Sequence, residues 1–271
     1  MALVERLREL SQRTHVQHCV VQEQEVLVYE DHRMLVNVLA FAQQQDIFRN
    51  GPPTLLCFDL HDDCAIPTAC LPRLHDWRHH PPTPRDLWSF VEWELSGLDN
   101  DWLIAAFELG LIGNATMVGC QFTEHVESIN GLYRDCMGCD HSVCIVNHLW
   151  ECIPRNDFSW QFSNDAQSGN PSLVVDFDLD CFTQMTRAGP IPWTKSEFRR
   201  FGRRMPRDRV TVRQYLSELI RRSEFVTIAR ESTFCGGLAK SDLILQNIDE
   251  MFFSGGIRDY GLGTLLQDQP L

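Results

Sequence analysis

The sequence has no apolar run approaching the roughly 18 to 20 residues that a helix needs to cross a bilayer. Basic residues are outnumbered, with 24 Lys and Arg against 37 Asp and Glu. The resulting negative field repels nucleic acid and attracts cations, so a cationic substrate is expected and a polyanionic one is not. There is no internal repeat and no low-complexity tract, which excludes repeat arrays and long linkers. A secretion signal is also missing, since Met1 to Leu10 read as the start of a charged amphipathic helix. A cytoplasmic protein follows as the expectation. Its 11 cysteines, an odd number in a sizeable chain, then read as reduced and mostly small core residues rather than a disulfide framework.

What the sequence does contain is enough apolar material, 44% of 271 residues, for one large core. Short runs rich in Val, Ile, Leu and Phe recur at Val26–Tyr29, Thr54–Phe58, Ala115–Val118, Ser142–Val146, Leu173–Phe177 and Phe225–Ile228. Runs of that length, apolar throughout, predict parallel strands buried on both faces. Helical patterns separate them at Arg33–Gln45, Pro84–Leu95, Asp101–Leu109, Lys195–Arg200, Thr211–Arg222 and Leu243–Phe253. Alternating strand and helix predicts a single α/β domain over residues 1–271, a three-layer, doubly wound and mostly parallel sheet. Between Pro67 and Pro84 lie five prolines and three histidines, a segment that predicts a long loop.

Three of the predicted strands run straight into acids and histidines: Tyr29-Glu30-Asp31-His32, Phe58-Asp59-Leu60-His61-Asp62-Asp63 and Asp176-Phe177-Asp178-Leu179-Asp180. Ligands in open α/β sheets bind beyond the carboxyl ends of the strands. Period two puts Asp59 with His61 on one side, and Asp178 with Asp180. Any one such acid is an ordinary helix cap. Three clusters together gather four carboxylates and two imidazoles, which repel one another unless cations neutralise them. An oxygen-rich set with two imidazoles suits manganese, with zinc, iron or cobalt as substitutes.

The ordered set Asp31-His32, then Asp59-x-His61-x-Asp63, then Asp178-x-Asp180 resembles the ureohydrolase superfamily of arginases and agmatinases over about Val26 to Cys235. The resemblance implies an arginase-like fold and two manganese ions. His32 and Asp63 would complete one metal site, His61 and Asp180 the other, with Asp59 and Asp178 bridging. It also implies that Glu231, after the last strand, receives the substrate guanidinium, and that His75, with His79 and His80 as competitors, shuttles protons alongside Asp180. Two departures matter. Ala65 stands where arginases have an Asn that holds the α-carboxylate of free arginine, and Glu30-Asp31-His32-Arg33 replaces Gly-Gly-Asp-His-Ser. Tyr-Glu-Asp-His with Phe-Asp-Leu-His-Asp-Asp more closely resembles the peptide arginases, which convert arginine side chains of ribosomally made precursor peptides to ornithine. The partner expected is thus an arginine-containing peptide, with a free guanidino compound or an amide deacetylation as alternatives.

Two other motifs compete. Cys136-Met137-Gly138-Cys139 with His141, Cys144, His148 and Cys152 has ligands suited to zinc, which would make the chain an interaction module. Val174-Val175-Asp176-Phe177-Asp178 opens like an aspartyl phosphatase motif, but no Thr falls at the required place. The single-metal deacetylase branch of the superfamily has no need of both Asp63 and Asp180.

Overall fold

The computed structural model describes residues 16–96, 98, 100–146, 171–205 and 210–259. The strands are β1 (Gln17–Val21), β2 (Gln24–Tyr29), β3 (Thr54–Phe58), β4 (Asn114–Val118), β5 (Leu132–Arg134), β6 (Asp140–Val146), β7 (Leu173–Asp178), β8 (Thr183–Thr186), β9 (Gly189–Pro192) and β10 (Phe225–Ala229). Eight of them form one sheet in the order β1-β2-β10-β7-β3-β4-β6-β5, and β8 and β9 form a separate hairpin. From β2 to β6 every neighbouring pair is parallel, while β1 and β5 close the two edges antiparallel. All six predicted strands are present in this parallel interior.

Side chains alternate across the sheet, as the pleat requires. Leu27, Leu55, Ala115, Met117, Val174 and Phe225 face one core, and Val26, Val28, Leu56, Phe58, Val175 and Phe177 face the other. Helices α1 (Leu35–Gln44), α2 (Leu71–His79), α3 (Pro84–Trp93) and α4 (Trp102–Glu108) contribute to the first core. The short α5 (Glu124–Ser128) follows β4. On the second face lie α6 (Lys195–Arg203), α7 (Val212–Arg222) and α8 (Leu238–Ile248). The result is helix, sheet, helix in three layers. Thr194 and Thr211 start α6 and α7 with complete capping boxes, Thr to Glu197 and Thr to Gln214, so these boundaries are set locally.

The proline-rich stretch is a correction. It contains α2 rather than an uninterrupted loop, because Pro72 sits in the first turn, where a missing N–H costs nothing, and the other prolines lie outside the helix. Among the described residues no helix is long and apolar enough to cross a membrane.

Strand order reverses between β3 and β7. From β3 the chain moves outward through β4 to β6, then returns to β7 on the other side of β3 and moves outward to β10. The crevice at such a reversal is where doubly wound sheets bind ligands.

The second core can be tested apart from that crevice. Phe198 on α6 is 2% exposed and packs against Phe182 at 5.1 Å and Trp193 at 5.7 Å between ring centroids. Phe198→Ala should cost about 3–5 kcal/mol, read as a lower urea midpoint at unchanged slope, and should leave metal content at the parent level.

Candidate metal centre

Asp59 is the first residue after β3, and Asp178 is the last of its neighbour β7, so the two stand side by side at the reversal point. In each cluster the backbone of the turn claims one oxygen. Asp59 Oδ1 accepts from the His61 N–H at 2.8 Å, Asp178 Oδ1 from the Asp180 N–H at 3.0 Å and Asp180 Oδ1 from the Leu60 N–H at 3.3 Å. Each carboxylate is thereby pinned, and its Oδ2 is left for the space between the strands.

His32 enters that space from β2 through a short 3-10 turn, His32–Met34. Its Nδ1 lies 3.2 Å from Asp59 Oδ2, 3.1 Å from Asp63 Oδ2 and 3.1 Å from Asp178 Oδ2. On the other flank, His61 Nδ1 lies 3.1 Å from Asp180 Oδ2 and 3.8 Å from Asp59 Oδ1. Asp59 therefore stands between the two imidazoles. All six residues expected from the sequence, His32, Asp59, His61, Asp63, Asp178 and Asp180, are brought together.

These contacts leave buried atoms without partners. His32 Nδ1, Asp59 Oδ2 and Asp180 Oδ2 make no hydrogen bond despite the short approaches. Orphaned donors and acceptors at full burial are costly, and several in one place mark a missing ligand. Two overlapping ligand groups converge here, His32 with Asp59 and Asp63, and Asp59 with His61 and Asp180. The donor chemistry fits divalent cations, which would supply the partner each orphan lacks.

The residues behind the ligands fix their aim. Asp176 Oδ2 meets His32 Nε2 at 2.7 Å, so with a proton on Nε2 the Nδ1 lone pair faces the carboxylates. Asp176 is itself held by Tyr29 and Thr227 on Oδ1 and by Cys57 on Oδ2. Strand register explains the grouping, since Asp176 is paired with Thr227 in β10 and with Cys57 in β3. Trp102 at the start of α4 donates its indole N–H to Asp63, and its ring lies 4.6 Å from that of His32. Asp63 and Glu231 hold left-handed φ values of 48° and 42°, a conformation uncommon for non-glycine residues that the chain also adopts at positions such as Gln22 and Asn130.

Electrostatics agree with this crowding. Burial alone would lower the His32 pKa, yet Asp176 and the facing carboxylates hold it well above the usual histidine range. For His61, burial opposes but Asp180 and Asp59 raise the pKa to about 10. Burial and the neighbouring Asp59 push Asp63 up, and burial and Asp180 do the same to Asp178. Left to themselves, these ligands keep protons that a cation must displace.

Of the other expected site residues, Glu231 is buried beside the centre, and its Oε1 accepts the His32 backbone N–H at 2.6 Å. It thus anchors the turn that carries a ligand, a duty the sequence did not announce. His75 is not brought to the centre. It sits on α2 with Nε2 3.4 Å from Glu108 Oε2, at the far end of α4 from Trp102. His80 pairs with Asp76 in solvent. The cysteine motif is not assembled as a set either. His141 turns inward to Gly113 O and Asp135, Cys139 joins no ligand group among the described residues, and His148 and Cys152 lie outside them.

Compared by sequence, the chain matches no protein-family model and no curated protein. The reading of the site therefore rests on its geometry and chemistry.

Two groups near the centre were not foreseen. Asp176 looked like a strand residue, although its period-two spacing from Asp178 placed it on the ligand face. His125 forms a dyad with Asp62, Nδ1 to Oδ1 at 2.9 Å, and Asp62 also accepts the N–H groups of His125 and Val126. The pair ties the ligand loop to the start of α5, and its partners are too far apart in sequence for any local signal.

Asp176→Asn should weaken metal binding by about 10- to 100-fold with the fold intact by circular dichroism, because the carboxamide no longer fixes the His32 tautomer. The measurement is a competition titration with a chelator. Metal binding should also release protons, with affinity rising with pH and falling as the raised pKa values of His61, Asp63 and Asp178 are approached from above. Calorimetric heats that do not vary with the buffer's ionisation enthalpy would contradict this.

Proposed function

We propose that this protein is a binuclear manganese hydrolase with an arginase-like fold that converts arginine side chains of a peptide to ornithine and urea. The observation that carries the reading is the convergence of six candidate ligand residues on the reversal point of the sheet, with orphaned buried atoms between them. His32, Asp63, Asp59 and Asp178 would hold one ion, and His61, Asp180, Asp59 and Asp178 the other. When bound, such a pair supplies an acidified water as nucleophile and positive charge to stabilise a tetrahedral adduct.

The chain's own residues supply position and protons. The guanidinium is resonance-stabilised and stays charged, so it must be held in place. Glu231 is the proposed receiver. Its Oε1 also accepts the His32 N–H, and a carboxylate's two oxygens match the parallel N–H groups of a guanidinium edge. Glu30 is its competitor, since Oε1 accepts the Ser232 N–H while Oε2 is buried without a hydrogen-bond partner. At the open side, His61 is flanked by Phe122, stacked at 5.2 Å, and Phe234, edge-on at 5.8 Å, rings suited to a planar cation. Water adds to the guanidinium carbon Cζ, the Cζ–Nε bond breaks, and the departing amine takes a proton. Asp180 is the proposed donor. His125, 42% exposed in its side chain and braced by Asp62, replaces His75 as the proposed carrier to solvent.

Two features support a peptide over free arginine. Ala65 cannot hydrogen-bond an α-carboxylate. At the end of β2 a cavity of about 190 Å³, lined in part by Tyr29, Glu30, Asp31, Trp88, Glu92 and Arg230, carries three carboxylates that suit a cationic chain.

Incubation with manganese and an arginine-containing peptide should remove the mass of one cyanamide equivalent, urea less water, per arginine converted. Free arginine should be a much poorer substrate, and comparable kcat/KM for both would make the protein an ordinary arginase. Glu231→Gln can still accept the His32 N–H, so it should keep fold and metals while losing kcat/KM by about a hundredfold, on the order of 3 kcal/mol. Near-parental activity in that variant, with Glu30→Gln inactive, would move guanidinium binding to Glu30.

A further inference from the structure

The hairpin of β5 and β6 closes one edge of the sheet, and its outer strand is short and exposed. β5 is three residues long, and its Leu132 is 53% exposed. The turn that joins the strands lies at the amino end of β6, which runs parallel to β4. This is the opposite end of the sheet from the aspartate and histidine centre. Three side chains from separate elements meet there: His75 of α2, Glu108 at the end of α4 and Cys136 in the turn. A ring nitrogen of His75, a carboxylate oxygen of Glu108 and Cys136 Sγ all lie within 4.8 Å of one another.

We propose that His75, Glu108 and Cys136 form a zinc site that clips the β5–β6 hairpin to α2 and α4. The ligand types are the nitrogen, oxygen and sulfur donors that zinc takes together, with a water as the fourth. In a tetrahedron with bonds of about 2.0–2.1 Å, nitrogen and oxygen ligands stand roughly 3.3 Å apart. His75 Nε2 and Glu108 Oε2 are 3.4 Å apart.

The charge balance points the same way. Glu108 is 2% exposed; the Tyr133 hydroxyl and the Cys136 backbone N–H donate to it, its carboxylate also meets the Cys136 thiol, and the His75 ring lies 3.4 Å away. Arg78 is directed elsewhere, to Leu109 O at 2.7 Å and Asp135 at 3.7 Å. A zinc ion shared by the carboxylate, the imidazole and the thiol would give this buried group a cationic partner held from three elements. The site differs from the one the Cys136-x-x-Cys139 spacing suggests. Cys139 is anchored by its backbone N–H to Asp135 and joins no ligand group among the described residues, and His141 uses its ring nitrogens on Gly113 O and Asp135. The zinc would be structural, and the inference stands whether or not the protein acts on arginine.

Cobalt is the probe, because a thiolate ligand gives a near-ultraviolet charge-transfer absorption that oxygen and nitrogen ligands do not. Titrating the purified full-length protein with cobalt should bring up this absorption, saturating at one thiolate-bound ion per chain. Cys136→Ser should abolish it, His75→Ala should strongly reduce it, and Cys139→Ser should leave it unchanged. Zinc should raise the melting temperature of the parent more than that of Cys136→Ser. No thiolate absorption in the parent, or an absorption that survives Cys136→Ser, would overturn the proposal.

Discussion

The structure is organised around a repulsion. Four aspartate carboxylates, Asp59, Asp63, Asp178 and Asp180, each 3% exposed or less, face two imidazoles in a space that water hardly reaches. Charges so placed cannot all stay ionised, which is why protons are retained at several of them. The fold does not relax this crowding. It enforces it through backbone hydrogen bonds to one oxygen of Asp59, Asp178 and Asp180, and through Asp176 and Trp102 behind His32 and Asp63. Such an arrangement is one that bound metal ions could neutralise.

The scaffold explains why the arrangement is affordable. β3 and β7 are buried on both faces and sit in the middle of eight strands, so their ends are held by the stiffest part of the molecule. Ligands on such ends keep their spacing without help from mobile loops. The segments that close over the centre have a different character. Phe122 is 47% exposed and Phe234 partly so, leaving His61 as the open side where a side chain can enter. The cavity at the end of β2 is a separate feature, lined in part by Glu30, Asp31, Glu92 and Arg230.

Much of this was legible in the residues. The six interior strands read as short apolar runs because both their faces are covered, and the acids at their ends stood out against that background. β1 and β5 did not, because edge strands alternate or are too short to carry a pattern, and β8 and β9 form a small hairpin outside the main sheet. The ligand set came from order and spacing, which survive folding because each cluster follows its own strand. Asp176 was hidden by being one acid among three at alternate positions, and only its neighbours in β10 and β3 give it a separate role. His75 was misread for the opposite reason. Its loop-like, proline-rich surroundings gave no sign of α2, and a helix packed against α4 carries it to Glu108 instead of the centre. Contacts across the chain, such as Glu231 to the His32 N–H and His125 to Asp62, leave no local trace.

The proposed chemistry requires two cations in one shared site at this end of the sheet. Diffraction from manganese-loaded crystals, collected at the manganese absorption edge, tests it directly. Two anomalous peaks are expected, one against His32 Nδ1 and Asp63, the other against His61 Nδ1 and Asp180, with Asp59 and Asp178 between them. A single peak, or none among these six residues at saturating manganese, would contradict the account.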